Sequence, residues 1–174
     1  MKKTQLLKKP LEALTDTDIE CLLGIDKNSR VAEVVAEYVR RKAQRSTGGV
    51  IIKDSKSVAQ VLRPYFFGLE VENFMVVTMN RKNEILNVHN VSKGGISSTI
   101  ADPKVIFDKA LRDKASAIIL AHNHPSGHIV PSDSDDGLMR KIKGGGELLD
   151  ISVLDSIIIG KDESYYSYAD EGRF

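Results

Sequence analysis

The run Ala117-Ile118-Ile119-Leu120-Ala121 constrains this chain more than any other stretch, because it is apolar without alternation and stops at His122. Such a run is too short for a buried helix and fits a strand covered on both faces. A strand of that kind needs helices above and below it, and the flanking text supplies them. Ser55 or Ser57 opens a helix running through Tyr65, and Pro131-Ser132 opens another to about Leu149. Asp102-Pro103 has the signature of an N-cap followed by proline at the first helical position, starting a helix to about Asp113. Val50 to Lys53, Asn73 to Asn80, Glu84 to Val91, Val153 to Ile159 and Tyr165 to Tyr168 read as further strands. The short turn Arg81-Lys82-Asn83 makes the second and third of these antiparallel neighbours. The expected fold class is α/β, with helices on both sides of a mixed sheet.

Upstream, residues 11–23 and 30–44 place apolar residues at helical spacing. Thr15 or Thr17 can cap within the first, Gly24 stops it, and Asn28-Ser29 offers a cap for the second, so the two form an αα-hairpin. Arg45-Ser46-Thr47-Gly48-Gly49 is a flexible polar break and sets the boundary between a helical segment over 1–45 and a catalytic-sized domain over 50–174. A length of 174 residues suits one core plus this short appendage. No apolar run approaches spanning length, and the basic start Met1-Lys2-Lys3 leads into no signal-like apolar region, so the expectation is a cytoplasmic protein without a membrane segment. Cys21 has no partner for a disulfide and reads as a packing residue. The net charge of +1 argues against a strong nucleic-acid footprint. Residues 1–50 carry ten Lys+Arg against seven Asp+Glu, which leaves Arg40-Arg41-Lys42 open to non-specific contact with nucleic acid, although a solvated helical face is the plainer use.

The chemistry concentrates just after the apolar run. His122 and His124, two apart at the end of a strand, send both imidazoles to one face. Pro125 ends the pairing, Ser126-Gly127 turns the chain, and the next helix carries Asp135 in its first turn, back towards the rings. Two imidazoles and one carboxylate are a three-ligand set for Zn2+ with a fourth position open to water, the arrangement of a catalytic rather than a structural zinc. Each residue has a plainer reading: a lone histidine is more often a packing residue, and Ser132-x-x-Asp135 is also a capping pair. Jointly, the five fixed positions of H-x-H-P-x6-S-x-x-D have a chance occurrence on the order of 10⁻⁵.

That spacing matches the JAMM motif of JAB/MPN zinc metallopeptidases. Together with Ala121-His122-Asn123-His124-Pro125-Ser126-Gly127 and Tyr165-Tyr166-Ser167-Tyr168-Ala169-Asp170-Glu171-Gly172, the chain resembles their bacterial RadC branch from about Val50 onward. The resemblance implies a three-layer αβα sandwich similar to cytidine deaminase, and zinc held by His122, His124 and Asp135. It also implies a glutamate at the start of an upstream strand that holds the attacking water. Glu72-Asn73-Phe74-Met75-Val76-Val77 fits that pattern, with Glu70, two residues earlier on the same strand face, as competitor. By the same resemblance Ser132 would hydrogen-bond the oxyanion of the tetrahedral intermediate. Asn123 and Ser126 are candidates for orienting the ligands, His128 for substrate contact or none, and His89 for a surface position.

Relatives of this branch carry a helix-hairpin-helix module with a Gly-x-Gly turn. The text here, Leu22-Leu23-Gly24-Ile25-Asp26-Lys27, lacks the paired glycines and places an acid at the turn. The leading expectation is therefore a zinc-dependent hydrolase acting on an amide or isopeptide carbonyl of a peptide or protein. The competing ones are a DNA repair or recombination accessory and a metal-binding scaffold without turnover. Pro64-Tyr65-Phe66-Phe67 offers an apolar patch for self-association, with core packing as its commoner use.

Overall fold

The computed structural model describes residues 30–94 and 101–173. The helix expected over 11–23, Cys21 and the turn at Gly24 lie outside them. The described elements are α1 (Arg30–Ser46), α2 (Ser55–Phe66), β1 (Asn73–Met79), β2 (Ile85–Lys93), α3 (Pro103–Arg112), β3 (Ala117–Asn123), α4 (Asp133–Leu148), β4 (Ser152–Ile159) and β5 (Tyr165–Ser167). The strands form one mixed sheet in the order β2-β1-β3-β4-β5. The β3–β4 pair is parallel and is crossed over by α4, and the other pairs are antiparallel.

β3 is buried at every position, as an unalternating apolar run requires. Its odd residues Ala117, Ile119 and Ala121 join Met75 and Val77 of β1 beneath α2, through Val58, Leu62, Tyr65 and Phe66. Its even residues Ile118 and Leu120 join Phe74 and Val76 beneath α3 and α4, through Ile106, Phe107, Met139 and Ile142. Two separate apolar layers, one per sheet face, make the α/β sandwich. Tyr65 and Phe66 are thus core residues, not an association patch.

Local chemistry sets the helix starts. Asp54, not Ser55 or Ser57, caps α2: its carboxylate accepts from the Ser57 N–H while the Ser57 hydroxyl reaches back, a capping box. Asp102 caps α3 ahead of Pro103, and Ser132 caps α4. The expected strand Val50 to Lys53 shrinks to a single bridge, Ile51 to Glu84, because only a few residues separate the positive-φ turn at Gly49 from the Asp54 cap. The polar break before it is tied down: Thr47 is buried and accepts a 2.7 Å hydrogen bond from the Tyr65 hydroxyl. α1 packs at the end of α2, with Arg40 Nη1 donating to the Phe67 carbonyl at 2.6 Å. His89, expected at the surface, lies within β2, half-buried with Nε2 2.6 Å from Asp113 Oδ2. Burial alone would raise the Asp113 pKa, but hydrogen bonds from Thr78, His89 and Asn87 hold it below the ordinary value.

α4 contains Gly144-Gly145-Gly146, a run that ought to weaken a helix. Close approach explains its latter part. A Cβ on Gly146 would stand 2.4 Å from the Ile151 carbonyl oxygen, whereas one on Gly144 would meet nothing within 4 Å. Gly144→Ala is therefore expected to stabilise the fold by about 0.5–1 kcal/mol, through helix propensity. Gly146→Ala should instead destabilise it by about 1–3 kcal/mol through overpacking. Urea unfolding of the two variants checks the opposite signs, and a stabilised Gly146→Ala would contradict the packing.

Candidate metal centre

β1 and β3 run antiparallel, with Phe74 paired to His122, so the start of one strand and the end of the other share one edge of the sheet. His122 continues the face of Ile118 and Leu120, and its ring stacks on Phe74 at 5.6 Å between centroids and 9° between planes. It is 1% exposed. That burial, with the nearby His124, outweighs the pull of Asp135 and lowers its pKa to about 4, which keeps the imidazole neutral. A neutral ring is the form that binds a metal.

His124 follows two residues later, just beyond the strand. Pro125 and Ser126 make a turn closed by the Gly127 N–H on the His124 carbonyl at 2.9 Å, with Gly127 at φ 84°. The exposed His128 then offers its carbonyl to His124 Nδ1 at 2.8 Å. A carbonyl only accepts, so Nδ1 carries the proton and Nε2 keeps a free lone pair. That Nε2 lies 3.0 Å from His122 Nε2.

Asp135 arrives from the other side, at the third position of α4. The Ser132 N–H and hydroxyl donate to its Oδ2 at 2.7 and 2.6 Å, and Ser132 Oγ accepts from the Asp135 N–H at 3.2 Å. The anchored oxygen leaves Oδ1 facing the rings, 3.4 Å from His122 Nε2, while Oδ2 is 3.8 Å from His124 Nε2. A tetrahedral ion with bonds of about 2.0–2.1 Å separates its donors by about 3.3 Å. Glu72 completes the group: one ligand-capable atom from each of Glu72, His122, His124 and Asp135 lies within 4.8 Å of the others. Two nitrogens and carboxylate oxygens converging at such spacing suit a borderline divalent ion such as zinc.

Glu72 sits immediately before β1, in line with Phe74 on the ligand face. Glu70, expected on the same strand face, lies before the strand begins, is exposed and takes no part in the cluster, because the chain is still leaving the turn after α2. Asn123 fixes the Glu72 segment. Between the two ligand histidines and pointing away from them, its buried amide accepts from the Asn73 N–H at 2.8 Å and donates to the Val71 carbonyl at 3.2 Å. Asn73 Nδ2 also donates to Val71 O at 2.8 Å, and Asn90 Nδ2 to Asn73 Oδ1 at 3.1 Å. One side chain on the ligand strand thus brackets Glu72 on both sides. Asn123 orients the glutamate rather than a histidine, and Ser126 only braces the loop, through a 3.3 Å bond from the His128 N–H. Sequence reasoning missed Asn73, Asn90 and the His128 carbonyl. The signal for the first two was the need of a buried amide for partners on both sides; a main-chain carbonyl leaves none.

Ser132, to which resemblance assigned the oxyanion, is engaged with Asp135 as cap and tether. The expected ligands His122, His124 and Asp135 come together with Glu72, to which the resemblance pointed; Glu70, His89 and the His128 ring do not join them.

A family model described as a RadC-like JAB domain matches residues 52–173. Among curated relatives, the UPF0758 protein of Flavobacterium johnsoniae is 38% identical over 154 residues, 87% of this chain and 66% of its own length. That of Porphyromonas gingivalis is 37% identical over 168 residues, 93% of this chain and 74% of its own. That of Moorella thermoacetica is 40% identical over 134 residues, 76% of this chain and 58% of its own. The chain thus spans between 58% and 74% of the length of these relatives. With the sheet, the two covering layers and the four-residue cluster in place, the match over 52–173 shows that the chain belongs to the RadC-like JAB domain family.

Proposed function

We propose that this chain is a zinc-dependent hydrolase of an amide or isopeptide bond, with His122, His124 and Asp135 as metal ligands and Glu72 as general base. The observation that carries the reading is the convergence of three neutral or anionic donors on one point beside a fourth group able to move a proton. When bound, zinc supplies Lewis acidity, lowering the pKa of a coordinated water to about 7 and polarising a carbonyl.

The chain's own residues do the rest. Glu72 accepts the proton of the attacking water and returns it to the leaving nitrogen, so that the amine departs uncharged. The Asn123 amide holds the Glu72 backbone in place for that transfer, since general-base catalysis depends on hydrogen-bond reach before anything else. The His128 carbonyl presents His124 in the ligating tautomer, and Ser132 fixes Asp135 by one oxygen. Ser132 serves an oxyanion only by turning its hydroxyl from Asp135 towards substrate, so its first task is to hold the ligand. Burial of His122 and its Phe74 stack excludes water from the inner side of the site.

Glu72→Gln is expected to retain one zinc per chain by atomic emission and to lose hydrolysis of a fluorogenic peptide panel by at least a hundredfold. His122→Ala should lose the metal itself. A zinc-loaded wild type with no turnover on any peptide or isopeptide would favour a metal-binding scaffold. Asn123→Ala is expected to keep the metal and lower kcat by tenfold or more, with KM little changed. Acid gives an independent check on His122. The folded chain keeps it neutral to about pH 4, whereas an unfolded histidine protonates near the ordinary value of 6.5, so the unfolded state binds more protons between them. Stability of the metal-free protein should therefore fall as pH drops from 6.5 to 4, and His122→Asn should flatten that slope in urea titrations.

A further inference from the structure

His122 is fixed within β3, Asp135 is tethered by Ser132 in the first turn of α4, and Glu72 is bracketed by the Asn123 amide, but His124 stands at the mouth of a loop. The hydrogen bonds of that loop close on the loop itself. The Gly127 N–H meets the His124 carbonyl, the His128 N–H meets Ser126, and His124 Nδ1 meets the His128 carbonyl. Bonds of this kind give the loop a shape without giving it a place. Its place comes from packing against the hairpin that joins β4 to β5.

The approach of the two segments is close. A Cβ on Gly160, the first residue after β4, would stand 2.6 Å from Ile129 Cγ2 and 3.2 Å from the Ser164 carbonyl oxygen. A Cβ on Gly127 would stand 3.0 Å from Lys161 Cδ, so the stem of Lys161 crosses the loop at its turn. The residues on either side of His128 are thus pressed against the hairpin, and Ile129 also packs on the apolar layer beneath α3 and α4. The hairpin in turn is held to itself and to α2. The Gly160 N–H donates to the Ser164 carbonyl at 3.1 Å, and Ser164 Oγ to the Lys161 carbonyl at 2.9 Å. From α2, the Arg63 guanidinium donates to the Asp162 carbonyl, with its second nitrogen 3.5 Å from the Ser164 carbonyl.

We infer that Gly160 and Arg63 are positioning residues for His124: through the hairpin they fix the His128 carbonyl, and with it the tautomer and direction of the imidazole. The inference rests on the hydrolase reading only for the use of His124 as a metal ligand, since the placing of the ring belongs to the metal-free chain. A methyl group added at Gly160 must displace Ile129, whose branched Cγ2 cannot swing aside as the end of a long side chain would. Restoring ordinary carbon contact takes a shift of about 1 Å. Passed to the neighbouring His128 carbonyl, that shift breaks its 2.8 Å hydrogen bond with His124.

Side-chain nitrogen NMR of the isotope-labelled, metal-free chain, at about pH 8 and so above the ordinary imidazole range, reads the tautomer directly. Wild type is expected to carry the His124 proton on Nδ1, and Gly160→Ala to show a mixture with the Nε2 form. Zinc affinity, measured by competition with a chromophoric chelator, should fall tenfold or more in Gly160→Ala, as it does when a partner behind a ligating histidine is lost. Arg63→Ala is expected to move both readings in the same direction by a smaller factor, and Arg63→Lys, which keeps a donor, to restore most of the change. A general loss of stability would leave the tautomer of the folded chain where it was. The inference is overturned if His124 keeps the wild-type tautomer in either Gly160→Ala or Arg63→Ala, if zinc affinity falls with the tautomer unchanged, or if Arg63→Lys behaves as Arg63→Ala. Should Gly160→Ala not fold, the Arg63 pair decides alone. A wild type that binds no zinc would sink the hydrolase reading and leave the tautomer comparison readable, whereas an unchanged tautomer leaves the zinc content and the Glu72→Gln comparison untouched.

Discussion

The antiparallel pairing of β1 with β3 is the constraint on which the site depends. It places Phe74 opposite His122, so the residue that shields the buried imidazole comes from the same strand that Glu72 leads into. A slip of one residue would turn His122 into the α2 layer and Glu72 to the opposite face, since side chains alternate with period two. The apolar layers prevent that slip. Ile118, Leu120, Phe74 and Val76 are nearly solvent-free on one side, as are Ile119, Ala121, Met75 and Val77 on the other. Core packing thereby sets the distance between Glu72 and the two imidazoles.

Asn123 adds to that register a check the core cannot supply. β1 begins only after Glu72, so the glutamate lies outside the ladder, and its backbone is held by the amide bracket from Asn123 and by the Gly94 N–H on its carbonyl at 2.7 Å. An asparagine between two ligand histidines looks idle from the metal's side, because it points to the opposite face. Its position at that place in the strand makes it the link between the histidine strand and the Glu72 segment, so a shift in one must move the other.

Much of this was legible in the sequence, and the limits have physical causes. The unalternating run before His122 announces a strand covered twice, and Asp102-Pro103 and Ser132-x-x-Asp135 announce helix starts because capping is local chemistry. Proximity of His122, His124 and Asp135 follows from one short loop. The place of Glu72 did not follow from spacing, for it depends on β1 and β3 being neighbours across some fifty residues of chain, and only resemblance pointed to it. Between Glu70 and Glu72 the sequence offered two acids of equal period; the structure separates them by where the strand begins. His89 was misread as a surface residue because its partner, Asp113, comes from a distant part of the chain and leaves no local signal.

α4 joins the remaining parts. Its first turn gathers Asp133, Asp135 and Asp136 where the helix dipole favours negative charge, which stabilises carboxylates that would otherwise repel one another. The middle of the same helix carries Arg140 and Lys143, and its far end lies against Phe107 and the Ile151 carbonyl at Gly145 and Gly146. With the end clamped by close backbone approach and the start tethered by Ser132, the helix has little freedom to slide. The carboxylate of Asp135 is thus carried on a rod fixed at both ends. Held in this way, the helix keeps the Asp135 carboxylate at a fixed place against the His122 and His124 rings, as a site that gathers donors from separate elements requires.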